Sequence, residues 1–150
     1  MDASEIAEIS KVCSVGSHGV THRPLSRLST GEIRSELHDS KRWLEDLAGY
    51  PVDTLSAPGG FLDSRVVRHA LEAGYRLIGN SVEWWNDASE LTRRRVANRV
   101  EVGGSFSLGR FGRIVRGDPV YLLRRRFRSA ALALPKRLRR SRYVKNGLPR

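Results

Sequence analysis

Four short apolar runs, each closed by a turn and mostly separated by stretches of helical period, constrain this chain more than any other feature. Val12-Cys13-Ser14-Val15, Thr54-Leu55-Ser56-Ala57, Arg76-Leu77-Ile78-Gly79 and Val96 to Val102 read as strands. Ser29 or Thr30 caps a helix running to about Ala48, with Glu32 in its first turn and Gly49 at its end. Its inward face is read at Ile33, Leu37, Trp43, Leu44 and Leu47. Asp63 or Ser64 caps another helix to about Ala73, burying Val66, Val67, Ala70 and Leu71, with Gly74 at the left-handed position that follows a helix. A short helix from Ala3 to Lys11 begins almost at the first residue, which predicts further sequence upstream. Strand, loop, helix, strand is the α/β order, in which helical crossovers join parallel strands. Ligand sites in such folds form at the carboxyl ends of the strands. Three loops follow predicted strands and share that rim: the segment through His22, Pro58-Gly59-Gly60, and Ser81 to Asp87.

The first of these loops carries the chemistry. Ser17-His18-Gly19-Val20-Thr21-His22 sets two of the four histidines four positions apart. Gly19 is costly in a helix, and Val20 and Thr21 are stiff at χ1, so the intervening residues resist a helical start. The expected conformation is a strand ending near Ser17 and a loop that folds His22 back beside His18, which gives a metal half-site. The spacing also arises by chance, so context has to carry it. His38 reads as solvated, with Glu36 and Asp39 beside it, and His69 as a packing residue within its helix.

Gly16-Ser17-His18-Gly19-Val20-Thr21-His22 is followed by Leu25 and Leu28, then by Thr54-Leu55-Ser56-Ala57-Pro58-Gly59-Gly60-Phe61 and Leu71-Glu72-Ala73-Gly74-Tyr75. In this order, from about Ile6 to Val102, the chain resembles the polysaccharide deacetylase family, the carbohydrate esterases that include chitin and peptidoglycan deacetylases. The resemblance implies a partial, distorted (β/α) barrel of the polysaccharide deacetylase type that lacks its first strands. It implies that His18 and His22 hold a divalent metal, zinc foremost, and that the Gly59 backbone N–H is an oxyanion donor. Pro58, Gly60, Trp84 and Trp85 become substrate-binding residues, and the substrate an acetylated polysaccharide losing N- or O-acetyl groups. The Trp pair stacks on a sugar ring or covers the barrel rim. The family's aspartate pair, which supplies the third ligand and the base, would precede the first residue, so the resemblance implies an impaired site. Ser56 stands where many members have an arginine, no histidine follows His69 to match a late motif, and Asn86-Asp87 departs from the fourth.

Charge separates the chain into two parts. Residues 1–109, read as the carboxyl-terminal portion of the deacetylase-like domain, carry a net −2, whereas residues 110–150 carry +13, together the formal +11. The second part is read as a basic, partly helical tail beginning its helix at Asp118-Pro119, with Pro135 as a break. Its arginines and interleaved apolar residues over 120–145 suit an anionic membrane surface, and nucleic acid less well. The rival reading is therefore a non-catalytic remnant whose tail binds such a polyanion. Cys13 is the lone cysteine and reads as a core thiol, which excludes an intrachain disulfide. No leader pattern opens the chain and no apolar run reaches the ~18 residues of a membrane span. The expected location is the cytoplasm, with the tail offering a peripheral membrane contact.

Overall fold

The computed structural model describes residues 2–100 and 102–127. Two capping boxes start its first helices. The Asp2 carboxylate accepts the Glu5 N–H at the start of α1 (Ala3–Ile9), and the Ser29 hydroxyl accepts the Glu32 N–H at the start of α2 (Thr30–Ala48). In each, the glutamate returns to the cap N–H, satisfying donors that the first helical turn leaves open. Gly49 then ends α2 in the left-handed region at φ 74°.

Three short strands follow: β1 (Thr54–Ser56), β2 (Leu77–Gly79) and β3 (Val96–Ala97), all parallel and in that order. Leu55 pairs with Ile78, and Ile78 with Val96. The helix α3 (Ser64–Glu72), capped by the Asp63 carboxylate, joins β1 to β2, and α4 (Ala88–Arg94) precedes β3. Ile33 and Leu37 of α2, Val66 and Ala70 of α3, and Leu55 and Ile78 of the sheet are buried together with Tyr75. Each large aliphatic side chain so covered contributes about 1.5–3 kcal/mol. The Tyr75 hydroxyl is satisfied within this core, donating to the Leu37 carbonyl at 3.0 Å. This is a mixed helix and sheet fold with a small parallel sheet.

The chain divides into two compact units, one of residues up to Val82 with Asn86–Arg99 and one of Glu83–Trp85 with the residues from Val100 onward. In the second, α5 (Leu108–Val115) and a helical run over 119–127 are described, and the remainder of the 120–145 tail reading lies outside the described residues. The Glu83 and Arg125 side chains form a largely covered ion pair there. No described helix is long and apolar enough to cross a membrane.

Four expectations need correction. Residues 12–15 form no strand: the Val12 and Cys13 N–H groups both close back on the Ile9 carbonyl, at 3.0 and 2.9 Å, as α1 unwinds. Val12 is left 81% exposed, and Cys13 is exposed rather than a core thiol. Parallel pairing begins only at Ser17, whose N–H donates to Thr54 and whose carbonyl accepts from Ser56. Trp43 and Leu71 sit one residue off the buried stripes of their helices and are half exposed. Finally, β3 stops at Ala97 because the Asn86 side chain takes both backbone groups of Asn98, accepting its N–H at 2.7 Å and donating to its carbonyl at 2.9 Å. The sequence reading also missed α4, although Asp87 followed by Glu90 marks its start.

Two carboxylates tie this fold to pH. A hydrogen bond from Lys41, at 2.8 Å, outweighs burial and holds Glu45 below the usual carboxylate range, and the Val52 N–H assists. Burial pushes Asp63 up, but the Val66 N–H and Arg65 outweigh it and the net shift is downward. A lowered folded pKa contributes stability that is complete above the unfolded value, about 4, and is lost as pH falls through the folded one. Thermal melting followed by circular dichroism should therefore be level from pH 7 to about 5.5 and fall steadily below about 4.5. A midpoint unchanged down to pH 3 would contradict this assignment.

Candidate metal centre

Ser17 is the last residue the sheet holds, bonded to both Thr54 and Ser56, so the chain leaves the sheet at a fixed point. It then turns sharply, with Gly19 at φ 79° and His22 at φ 59°. A positive φ is uncommon for a residue with a Cβ, and at His22 it turns the backbone so that the side chain comes back toward His18. The two imidazole centroids lie 4.9 Å apart with their planes at 54°. Both residues are exposed, so the pair faces solvent.

His18 is also oriented from below. Its Nδ1 lies 2.5 Å from the Ser56 carbonyl oxygen. A carbonyl offers no proton, so Nδ1 carries the hydrogen and donates, and in the neutral ring the lone pair is then on Nε2. A backbone carbonyl on the second ring nitrogen is the usual support of a metal-binding histidine. Two adjacent imidazoles, one of them with its tautomer set, fit a borderline-soft divalent cation such as zinc. Among the described residues, however, no group of three or more His, Cys, Asp or Glu side chains gathers at one point.

The loop after β1 adjoins this pair. A Cβ on Gly19 would lie 3.9 Å from the Pro58 ring, and one on Gly60 would run into Ser81, just after β2. The segments carrying His18, Pro58 to Gly60 and Ser81 thus meet at one end of the sheet. Gly59 and Gly60 both have positive φ, at 65° and 68°. A Cβ at Gly59 would sit 2.9 Å from the Phe61 ring, which would have to shift, and the positive φ strains any side chain there. Trp84 and Trp85 belong to the second unit, their rings 4.6 Å apart edge to face, with the Arg126 guanidinium 4.8 Å over Trp84. His38 is exposed on α2. His69 is buried in α3, its Nδ1 2.7 Å from the Glu72 carboxylate, which suits a packing residue.

A carboxylate the sequence reading passed over supports the histidine loop. Glu36, 5% exposed on the inner face of α2, accepts the Val20 N–H at 2.6 Å, the Thr21 N–H at 3.0 Å and the Thr21 hydroxyl. Burial pushes its pKa up, but the hydrogen bonds from Thr21 and Val20, with the Arg23 charge, outweigh it and leave the group below the usual range. The available signal was its place on the stripe Ile33, Glu36, Leu37, Ser40, Leu44, where a charge needs a partner.

The model of one protein family, polysaccharide deacetylase, matches residues 2–78, half of the chain. The chain belongs to the polysaccharide deacetylase family. A solved polysaccharide deacetylase from Bacillus cereus is 25% identical over 77% of this chain and 36% of its own, with a TM-score of 0.67. A Streptococcus pyogenes deacetylase solved in complex with acetate is 21% identical over 71% of this chain and 47% of its own, with a TM-score of 0.64, a likeness of fold. The chain thus spans less than half the length of either deacetylase. No curated protein matches it.

Proposed function

We propose that this polysaccharide deacetylase-like domain holds a divalent metal, zinc foremost, through His18 and His22, and that the reaction it serves is hydrolysis of N- or O-acetyl groups on a carbohydrate polymer. The observation that carries the reading is the imidazole pair itself, folded together at 4.9 Å with His18 clamped on the Ser56 carbonyl. A metal bound there supplies Lewis acidity toward an acetyl carbonyl and lowers the pKa of a coordinated water toward ~7. The chain's own part is to keep His18 in one tautomer and to present the Gly59 N–H, beside Pro58 and Gly60, as a donor to the developing oxyanion. Such a donor is worth about 3 kcal/mol where it is preorganised. The wider scaffold of this reading is a partial (β/α) barrel.

Proton abstraction limits the reaction. Among the described residues no third side chain joins the pair as a metal-holding group, and the nearby Glu36 carboxylate is committed to the Val20 and Thr21 donors, so no free general base is set beside the nucleophilic water. Acetate release from acetylated chito-oligosaccharide, with zinc supplied, should therefore run barely above the spontaneous rate. What release there is should vanish in His22→Ala. Robust turnover by the chain would show that the impairment assigned to the site is wrong.

A further inference from the structure

The histidine loop holds an unfavourable backbone, with a non-glycine residue at φ 59° and Gly19 at φ 79°, yet its amides at Val20 and Thr21 make no contact with the sheet ladder. What fixes them is one carboxylate from α2. We propose that Glu36 is a positioning residue for the His18 and His22 pair, holding the Val20-Thr21 backbone so that the two rings meet.

The grip comes from one turn of α2 and acts on both sides of His18. One residue before it, the Ser17 hydroxyl lies 2.8 Å from that of Ser40, and Ser40 in turn donates to the Glu36 carbonyl at 2.7 Å. The same Ser17 hydroxyl accepts the Gly19 N–H at 3.3 Å. Beyond His18, the Glu36 carboxylate takes three donors from two consecutive residues, all between the histidines. Bonds to an ionised acceptor are roughly twice as strong as neutral ones, and losing this one would take the partner from two backbone N–H groups at once. Ile33, Leu37 and Leu44 anchor the helix itself in the core. Glu36 thus transmits a fixed position from the core to the loop and touches the rings only through the backbone between them.

The consequence for zinc rests on the metal reading above; the ring contact does not. In the metal-free chain, nuclear Overhauser contacts between the His18 and His22 ring protons report the pairing directly. They should be present in the native chain, lost in Glu36→Gln, and weakened in Thr21→Val, which removes one of the three donors. Leu44→Ala, a core truncation in the same helix, should melt earlier and keep them. Zinc affinity measured against a chromophoric chelator should fall 10–100-fold in Glu36→Gln and stay unchanged in Leu44→Ala. Undiminished ring contacts in a folded Glu36→Gln, or in Thr21→Val if Glu36→Gln does not fold, would overturn the inference. Zinc binding insensitive to His18→Ala would overturn the metal reading instead, and the ring contacts would still decide the role of Glu36.

Discussion

Gly60→Ala should lower the stability of the domain by about 3 kcal/mol, the sum of a left-handed Cβ at roughly 1–2 kcal/mol and overpacking at roughly 1–3 kcal/mol. Gly60 has φ 68°, and a Cβ built on it would run into both the Ser81 hydroxyl oxygen and the Ser81 backbone nitrogen. Rotating the serine side chain relieves the first contact but not the second, so one of two segments must move. Neither is free: the Gly60 N–H is bonded to the Ala57 carbonyl at 2.8 Å, and Asn80, next to Ser81, donates its N–H to Ala97. For a domain of this size the loss corresponds to a melting midpoint lower by roughly 10–20 °C. A Gly60→Ala chain that melts within two degrees or so of the native one would show that the segments after β1 and β2 do not meet as described.

That close approach was only partly readable from the residues. Pro58-Gly59-Gly60 announced a sharp turn, and the α/β order placed it on the same rim as the histidines, but which backbone it would press against depends on the sheet register. The histidine loop was more legible, because Gly19, Val20 and Thr21 each disfavour a helix for local reasons. Its support was not. Glu36 reads with His38 and Asp39 as part of a solvated face, and although it falls on the stripe of Ile33, Leu37 and Leu44, which loop its carboxylate would hold depends on where α2 packs. The misread strand at residues 12–15 has the converse cause. Val12 and Val15 have strand propensity, but the unwinding end of α1 captures the nearby amides first, and Tyr50 takes the Val15 N–H through its hydroxyl at 3.0 Å. The same competition, this time from a side-chain amide, ended β3 at Ala97.

The second large effect concerns the imidazole pair. The two rings contribute differently to a common site: His18 is fixed by the Ser56 carbonyl, whereas His22 owes its place to a strained backbone at φ 59°. With two donors gathered among the described residues, neither alone holds a cation with useful strength, so removing either should abolish specific binding. The expected loss is at least a hundredfold, about 2.7 kcal/mol or more. The fold should survive, because both side chains are exposed and lie outside the hydrophobic core.

Equilibrium dialysis against zinc, on the native chain and on His18→Ala and His22→Ala, tests this most directly. The account predicts one zinc per chain for the native protein, lost in each variant while circular dichroism stays unchanged. Equal zinc retention by all three folded proteins would contradict it.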